Sequence, residues 1–260
     1  MFEKRILNIK GGSNFRDLGG YSTVDNRQVR WGRLFRGAKM ADFSTHDLKV
    51  LKHHKIARVI DFRSLDERLN DPDAYSESIE EIELPLLNED TTNSTADAND
   101  FQHQAHEFGF AYERMMATYR NMVVDEFSQQ TLQAFFQYLL DDRQGALLFH
   151  CTKGKDRTGL ASALFLSAVG VDKETVFRDY ALTDQFNQPE NEAELAKMVR
   201  QGASAADIDN AKHFIMTDPD YLANAFAAMN EVAGSLQAYL TQIIGLNQDS
   251  LAELKQRYLR

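Results

Sequence analysis

The sequence predicts an α/β protein layered around a mainly parallel sheet, and three observations lead there. Two short runs, Ala57 to Phe62 (ARVIDF) and Ala146 to His150 (ALLFH), are continuous in apolar and branched residues, as strands covered on both faces are. Helical patterns of about 15 residues separate and follow them, the spacing that parallel strands with crossover helices require. Beyond Asp172 every pattern reads as helix, which adds a helical elaboration to the α/β layers.

Taken in order, Gly11 to Gly37 is rich in Gly and Arg with extended patches. Gly19-Gly20 signals a turn, and Asp25-Asn26 sits between two extended runs, predicting a hairpin that ends at Leu34-Phe35-Arg36. A helix is expected from Thr45 to about His54, capped by Ser44, with Asp47 three residues on at the positive end of the dipole. ARVIDF follows as a buried strand. Asn88 to Gln104 is polar and without period, and reads as a long loop. Helices are expected over Phe108 to Met122 and Glu126 to Leu140, then the ALLFH strand, then a helix from Thr158 to Val169 stopped by Gly170. Asp218 caps a further helix with Pro219 at its first position, Gly245 closes another, and the last helix covers Ser250 to Tyr258. The Ala-rich stretch from about Pro189 to Gly234 reads as a helical cover over the site or as extra core.

With 260 residues, 43% hydrophobic and 26% charged, the chain can bury a sizeable core, and residues 1–260 are expected to form one domain with about 189–234 as its lid. The most apolar stretch, Gly159 to Val171, is too short to span a bilayer, so no stable membrane insertion is expected. Met1 to Gly12 alternates charged and apolar residues and does not read as a signal peptide, which makes the cytoplasm the default location; leaderless export would leave no mark. The net charge of −10 speaks against general binding of nucleic acid or of an anionic membrane, since both need a positive field, and any attraction of a phosphorylated ligand must be local. Cys151 is the one cysteine, which excludes an internal disulfide framework, a CxxC redox pair and a cysteine-rich zinc site.

The chemistry is carried by His150-Cys151-Thr152-Lys153-Gly154-Lys155-Asp156-Arg157-Thr158-Gly159, which joins a buried strand to a helix. A loop in that position can wrap its backbone N–H groups around a tetrahedral oxyanion, backed by the helix N-terminus. The same field favours the thiolate form of a cysteine placed there. Arg157, six residues on, can offer a planar fork to two phosphate oxygens. A Walker-type nucleotide loop does not fit: Asp156 rather than Ser or Thr follows Lys155, and no Gly lies five positions before Gly154. The bland alternative for Cys151 is an inert buried thiol.

This stretch resembles the signature of the bacterial tyrosine phosphatases called type 3. Asn14-Phe15-Arg16-Asp17-Leu18-Gly19-Gly20-Tyr21, Leu34-Phe35-Arg36-Gly37 and Ile60-Asp61-Phe62-Arg63-Ser64 resemble further family segments in the same order, so that matching pieces run from about Asn14 to Tyr180. The resemblance implies a cysteine-phosphatase-like three-layer fold with a helical lid after the catalytic helix. It also implies a metal-independent hydrolase without cofactor. The expected substrates are phosphorylated proteins or phosphoinositides, with phosphotyrosine and sometimes phosphoserine or phosphothreonine accepted.

Breaking a phosphate monoester needs a nucleophile, charge stabilisation on the equatorial oxygens and an acid for the leaving oxygen. Cys151 and Arg157 fill the first two roles. For the acid, Asp61 ends the ARVIDF strand at the edge facing the same crevice, and it sits where the family resemblance favours an acid; Asp156 in the loop is the rival, and Asp17 and Asp90 are further candidates. Asp61 has a structural alternative, bonding loop N–H groups or Arg63. Thr152, Lys153, Gly154, Lys155, Thr158 and Arg63 are the expected substrate-binding residues. Thr158 either caps the helix start or donates towards Cys151, and Lys153 and Lys155 either bind further phosphates or point to solvent. Lys155 belongs to the family pattern as well. Arg16 and Arg36 either line the pocket or pair with carboxylates as scaffold. His150 is expected to shape the loop, and His103 and His106, spaced i, i+3 without a clear carboxylate set, to bind no metal. Arsenate reduction, sulfur transfer on the cysteine loop and non-catalytic phosphate binding are the alternative functions. With no neighbouring thiol to capture an oxidised Cys151, mild peroxide should abolish activity and thiol reductant should restore it; activity that reductant leaves lost would contradict this.

Overall fold

The computed structural model describes residues 3–88, 92 and 107–260. Five strands form one sheet: β1 (Arg16–Asp17), β2 (Leu34–Gly37), β3 (Ile56–Asp61), β4 (Glu80–Glu83) and β5 (Ala146–His150). Their order is β1-β2-β5-β3-β4, and every pairing is parallel except the antiparallel β1–β2 edge. The mainly parallel sheet expected from ARVIDF and ALLFH is therefore present. The expected hairpin appears as the β1–β2 pair, with a single bridge, Ser22 to Gln28, around Asp25-Asn26. β4 escaped the sequence reading because an edge strand needs only one inward apolar side chain, here Ile82.

Period-two alternation divides the core in two. Along β5, Ala146 and Leu148 face one side with Phe15, Phe35 and Leu51, whereas Leu147 and Phe149 face the other with Phe135, Leu164 and Tyr258. The first side is covered by α1 (Thr45–His53), whose N-terminus carries the predicted Ser44–Asp47 capping box. α2 (Leu65–Asn70) follows β3 and begins with a second box, Ser64 with Glu67. The other side holds α3 (Phe110–Val124), α4 (Glu126–Leu140) and α5 (Asp156–Val169). Helix–sheet–helix layering makes the three-layer arrangement, with 13 of the 14 α5 residues buried.

α5 begins two residues earlier than the sequence pattern gave, at Asp156, because Gly154 in the left-handed region (φ 63°) already turns the chain into it. α6 (Lys173–Arg200) runs straight through Pro189, so the segment expected as a lid has no break at its first residue. α7 (Ala205–Ile215) and α8 (Pro219–Ala233) complete that segment, and α8 carries the predicted Asp218 cap and N1 proline. α9 (Leu236–Ala238) passes into a π-helical turn, Tyr239–Ile243, and α10 (Gln248–Tyr258) ends the chain against α4 and α5. Among the described residues no helix is long and apolar enough to cross a membrane. Most of the Asn88 to Gln104 segment, with Asp90, His103 and His106, lies outside the described residues.

Candidate active site

β5 delivers His150 to the carboxyl edge of the sheet, and residues 151–155 turn from there into α5. Three carbonyl groups of this turn are held from outside. Thr152 O accepts from the Lys39 amide (3.1 Å), and Lys153 O accepts from the side-chain amides of Asn14 and Asn187 (3.2 Å each). Gly154 O accepts from Asn14 Nδ2 (2.8 Å) and Arg36 Nη2 (2.7 Å). The peptides are trans, so each carbonyl drawn outward puts the next amide, on Lys153, Gly154 and Lys155, on the inner side. The product is a ring of donors of the kind that binds an oxyanion. Only glycine fits at 154: a Cβ there would stand 2.4 Å from Gly37 O.

The outer supports are themselves anchored. Asp179 on α6 takes Arg16 Nε (3.1 Å), Arg36 Nη1 (2.7 Å) and the Tyr21 hydroxyl (2.8 Å), and Arg16 also bonds Asn14 Oδ1. Burial pushes the Asp179 carboxyl up, but the Arg16 and Arg36 guanidiniums more than offset it and hold it well below the ordinary range. Burial, together with the Arg16 charge, brings Arg36 down to about 10 against the pull of Asp179. Arg16 and Arg36 are thus scaffold paired with a carboxylate.

Cys151 stands at the start of the turn and Arg157 at the second position of α5, both buried, with Cys151 only 2% exposed. The Arg157 guanidinium is presented as a fork by Glu67, through Nη1 to Oε2 (2.5 Å) and Nη2 to Oε1 (2.7 Å). Glu67 also accepts from the Thr152 hydroxyl and from the Ser64 amide. Burial raises its carboxyl; the hydrogen bonds and charge of Arg157, then the Thr152 hydroxyl, outweigh this and hold it at about 2. Glu67 was missed from sequence, although Ser64-x-x-Glu67 is a legible capping box.

The two candidate acids differ in their surroundings. Asp61 accepts from Arg63 Nε (3.1 and 3.0 Å), Arg63 Nη2 (2.8 Å) and the Arg63 amide (2.9 Å), which commits both of its oxygens. Arg63, expected on the substrate, spends its other donors on Asp73 Oδ2 (2.7 Å) and Asp71 O (2.8 Å). His150 is buried beside them, with Nε2 3.2 Å from Asp73 and Nδ1 3.1 Å from Cys151 O. Burial lowers its affinity for a proton, and the Asp61 and Asp73 charges more than restore it. Asp61, Asp73 and His150 converge as metal ligands would, but the Arg63 guanidinium already supplies the positive charge there. Asp156 accepts from the Tyr119 hydroxyl (2.9 Å), which meets the Tyr180 hydroxyl at 2.8 Å. Burial and then the Asp156 charge keep both phenols protonated.

The remaining loop residues are dispersed. Thr158 lies inside the first turn of α5; it does not cap the helix, and its buried hydroxyl has no hydrogen-bond partner among the described residues. Lys153 reaches Glu194 on α6 (3.1 Å). Lys155, expected on the substrate, is buried and donates to Phe214 O (2.6 Å) and Met216 O (2.9 Å) at the end of α7. Burial lowers its ammonium, with Asp156 opposing. Asp17 serves a turn, accepting from the Gly19 and Gly32 amides (2.7 Å each).

Two consequences are measurable. Because Glu67 titrates lower when folded than its ordinary 4.5, its stabilisation is present above about 4.5 and lost as pH falls towards about 2; Glu67→Gln should flatten urea-unfolding stability across that window. Asp179→Asn leaves two buried guanidiniums short of a counter-charge and should cost roughly 3–5 kcal/mol by the same measurement.

A sequence profile described as the tyrosine phosphatase family matches residues 7–260. A presumed tyrosine-protein phosphatase of Cupriavidus necator is 29% identical over 248 residues, covering 95% of this chain and 86% of that relative. The triple specificity protein phosphatase PtpB of Mycobacterium tuberculosis is 26% identical over 277 residues, covering 96% of this chain and 98% of its own length. The crystal structure of P. aeruginosa TpbA in complex with phosphotyrosine aligns over 84% of this chain and 96% of its own at 17% identity; a TM-score of 0.30 leaves that likeness without weight. The match across residues 7–260 makes this chain a member of the tyrosine phosphatase family.

Proposed function

We propose that this chain hydrolyses phosphate monoesters through a phosphocysteine on Cys151. The observation that carries the reading is the loop between Cys151 and Arg157 whose carbonyls are tied outward at Thr152, Lys153 and Gly154, which turns the amides that follow them to its inner side. A phosphoryl group seated there meets donors on its equatorial oxygens, and Arg157 spreads two more N–H groups over the charge that develops in transfer. Glu67 keeps the Arg157 fork in plane before substrate arrives, so little reorganisation is left for the reaction itself.

The Cys151 thiolate attacks phosphorus in line with the leaving oxygen. The S–P bond forms as the P–O bond breaks, and an acid protonates the departing alkoxide or phenoxide. Asp156 suits this role better than Asp61, whose oxygens both belong to Arg63, whereas the contacts of Asp156, from the Tyr119 hydroxyl and, at 3.4 Å, the Lys155 ammonium, fall on Oδ1 alone. Water then attacks the phosphocysteine, Asp156 takes its proton, and the thiolate leaves with inorganic phosphate. The Thr158 hydroxyl, buried and without a partner among the described residues, is the donor we assign to the departing sulfur. Asp61 acts as a positioning residue, holding Arg63 and, with Asp73, His150 under the loop.

Substrates are phosphorylated proteins, with phosphotyrosine foremost and phosphoserine, phosphothreonine or phosphoinositides within reach, in keeping with the triple specificity of the mycobacterial relative. Residues 189–234 act as a lid. The part up to Met216 meets the loop through polar contacts that a substrate can displace, Lys153 with Glu194 and Lys155 with the Phe214 and Met216 carbonyls, whereas α8 is core, with Tyr221, Leu222 and Met229 fully buried.

Turnover of p-nitrophenyl phosphate should persist in EDTA and vanish in Cys151→Ser; full turnover by that variant refutes the mechanism. Asp156→Asn should lower kcat by about 100-fold or more on phenyl phosphate and less on p-nitrophenyl phosphate, whose leaving group needs less acid. Asp61→Asn should affect both alike, and the opposite pattern would move the acid to Asp61.

A further inference from the structure

The catalytic loop occupies the carboxyl edge of the sheet, and a second concentration of positive charge sits at the opposite edge, where β2, β3 and β5 begin. A cavity of about 220 Å3 opens there, lined by Arg30, Arg33, Arg58, Arg143 and Arg257, with Tyr258 in its wall. Five guanidiniums face two lining carboxylates, Asp141 and Asp142, in a chain whose net charge is −10. Like charges repel, and such convergence is costly unless something negative shares it.

Arg58 is the informative member. It is 4% exposed, and its Nε and Nη1 have no hydrogen-bond partner among the described residues. Nη1 stands 3.4 Å from Asp141 Oδ2, an oxygen that Arg143 already holds at 2.7 Å. A buried guanidinium with unmet donors is destabilising. The backbone nevertheless aims it there. A bulge between Ile56 and Arg58 breaks the alternation of β3, so Ile56 keeps to the Ala146 side while Arg58 pairs with Leu147 and points to the opposite face, towards Tyr258. Arg33, Arg58 and Arg257 line the cavity together with Tyr258, whose phenol burial raises to about 12 while these three charges pull it down. The Arg33 side chain has no partner among the described residues. Arg143 and Arg257 are partly engaged, with Glu80 and Glu253.

We propose that this cavity is a second phosphate site, remote from Cys151, that takes a small multiply charged phosphate group with Arg58 and Arg33 as its principal ligands. The volume suits phosphate or pyrophosphate and falls below the roughly 300–1,000 Å3 of sites for drug-sized molecules, so a larger ligand would enter by a terminal phosphate alone. The anion could be free in solution or belong to a phosphoinositide headgroup, and both present the same oxygens to the arginines. The site does not depend on the catalytic reading.

Isothermal titration of the full chain with pyrophosphate at fixed ionic strength tests it, alongside pyrophosphate inhibition of p-nitrophenyl phosphate hydrolysis to report occupancy of the catalytic loop. Wild type should show a binding event whose constant differs from the inhibition constant. Arg33→Ala and Arg58→Gln should each weaken that event about tenfold or more while leaving inhibition unchanged. Arg33 is exposed, so its variant folds even if Arg58→Gln does not. Co-sedimentation with phosphatidylcholine vesicles carrying a phosphatidylinositol phosphate, lost in Arg33→Ala, would assign the anion to a headgroup; pyrophosphate binding without co-sedimentation would assign a free anion. A single event that tracks the inhibition constant, or a second event that Arg33→Ala leaves intact, overturns the proposal.

Discussion

The Gly154 carbonyl is pulled away from the loop interior by Arg36, Arg36 is held by Asp179, and Asp179 also fixes Arg16 and through it Asn14, whose amide bonds the same carbonyl. Peptide planarity turns that outward pull into an inward row of donors. No side chain is needed to form the row, which is why the residues inside the turn include a glycine with no room for a Cβ. The functional geometry therefore rests on a buried network behind the loop, supplied by β1, β2 and α6, more than on the loop's own residues.

Each buried guanidinium around the site has a carboxylate opposite it: Arg16 and Arg36 share Asp179, Arg63 holds Asp61 and Asp73, and Arg157 holds Glu67. Desolvation makes such pairs poor sources of net stability, but each strongly disfavours any arrangement that separates its members. The effect is positional. Arg157 has its plane fixed by Glu67, and His150 is clamped between acid groups beneath the turn. The cavity at the far edge breaks this pattern, since Arg58 has only a distant share of a carboxylate that another arginine already claims.

Helices after α5 bear directly on the loop. Asn187 and Glu194 on α6 meet Lys153, and the end of α7 receives the Lys155 ammonium on two carbonyls. Lysines that read from the sequence as phosphate ligands thus tie the helical segment to the loop. A cation at a helix C-terminus is favourable on its own account, which explains why the end of α7 captures Lys155.

The amino-acid sequence by itself determined the strand–turn–helix that carries Cys151 and Arg157, the buried parallel strands flanking it, and most of the helix starts, because spacing, capping residues and apolar periodicity act over a few neighbouring positions. Only the tertiary structure decided which carboxylate meets which guanidinium. Glu67 lies 90 positions from Arg157 and Asp179 lies 143 from Arg36, so nothing local announces either pair. The same holds for Asp61, legible as an acid at a strand end until folding set Arg63 across both its oxygens, and for Lys155, whose long side chain was free to turn either way until α7 packed beside it. Local physics fixes the backbone path; long-range packing chooses the partners of charged groups, because burial leaves each of them a single affordable neighbour.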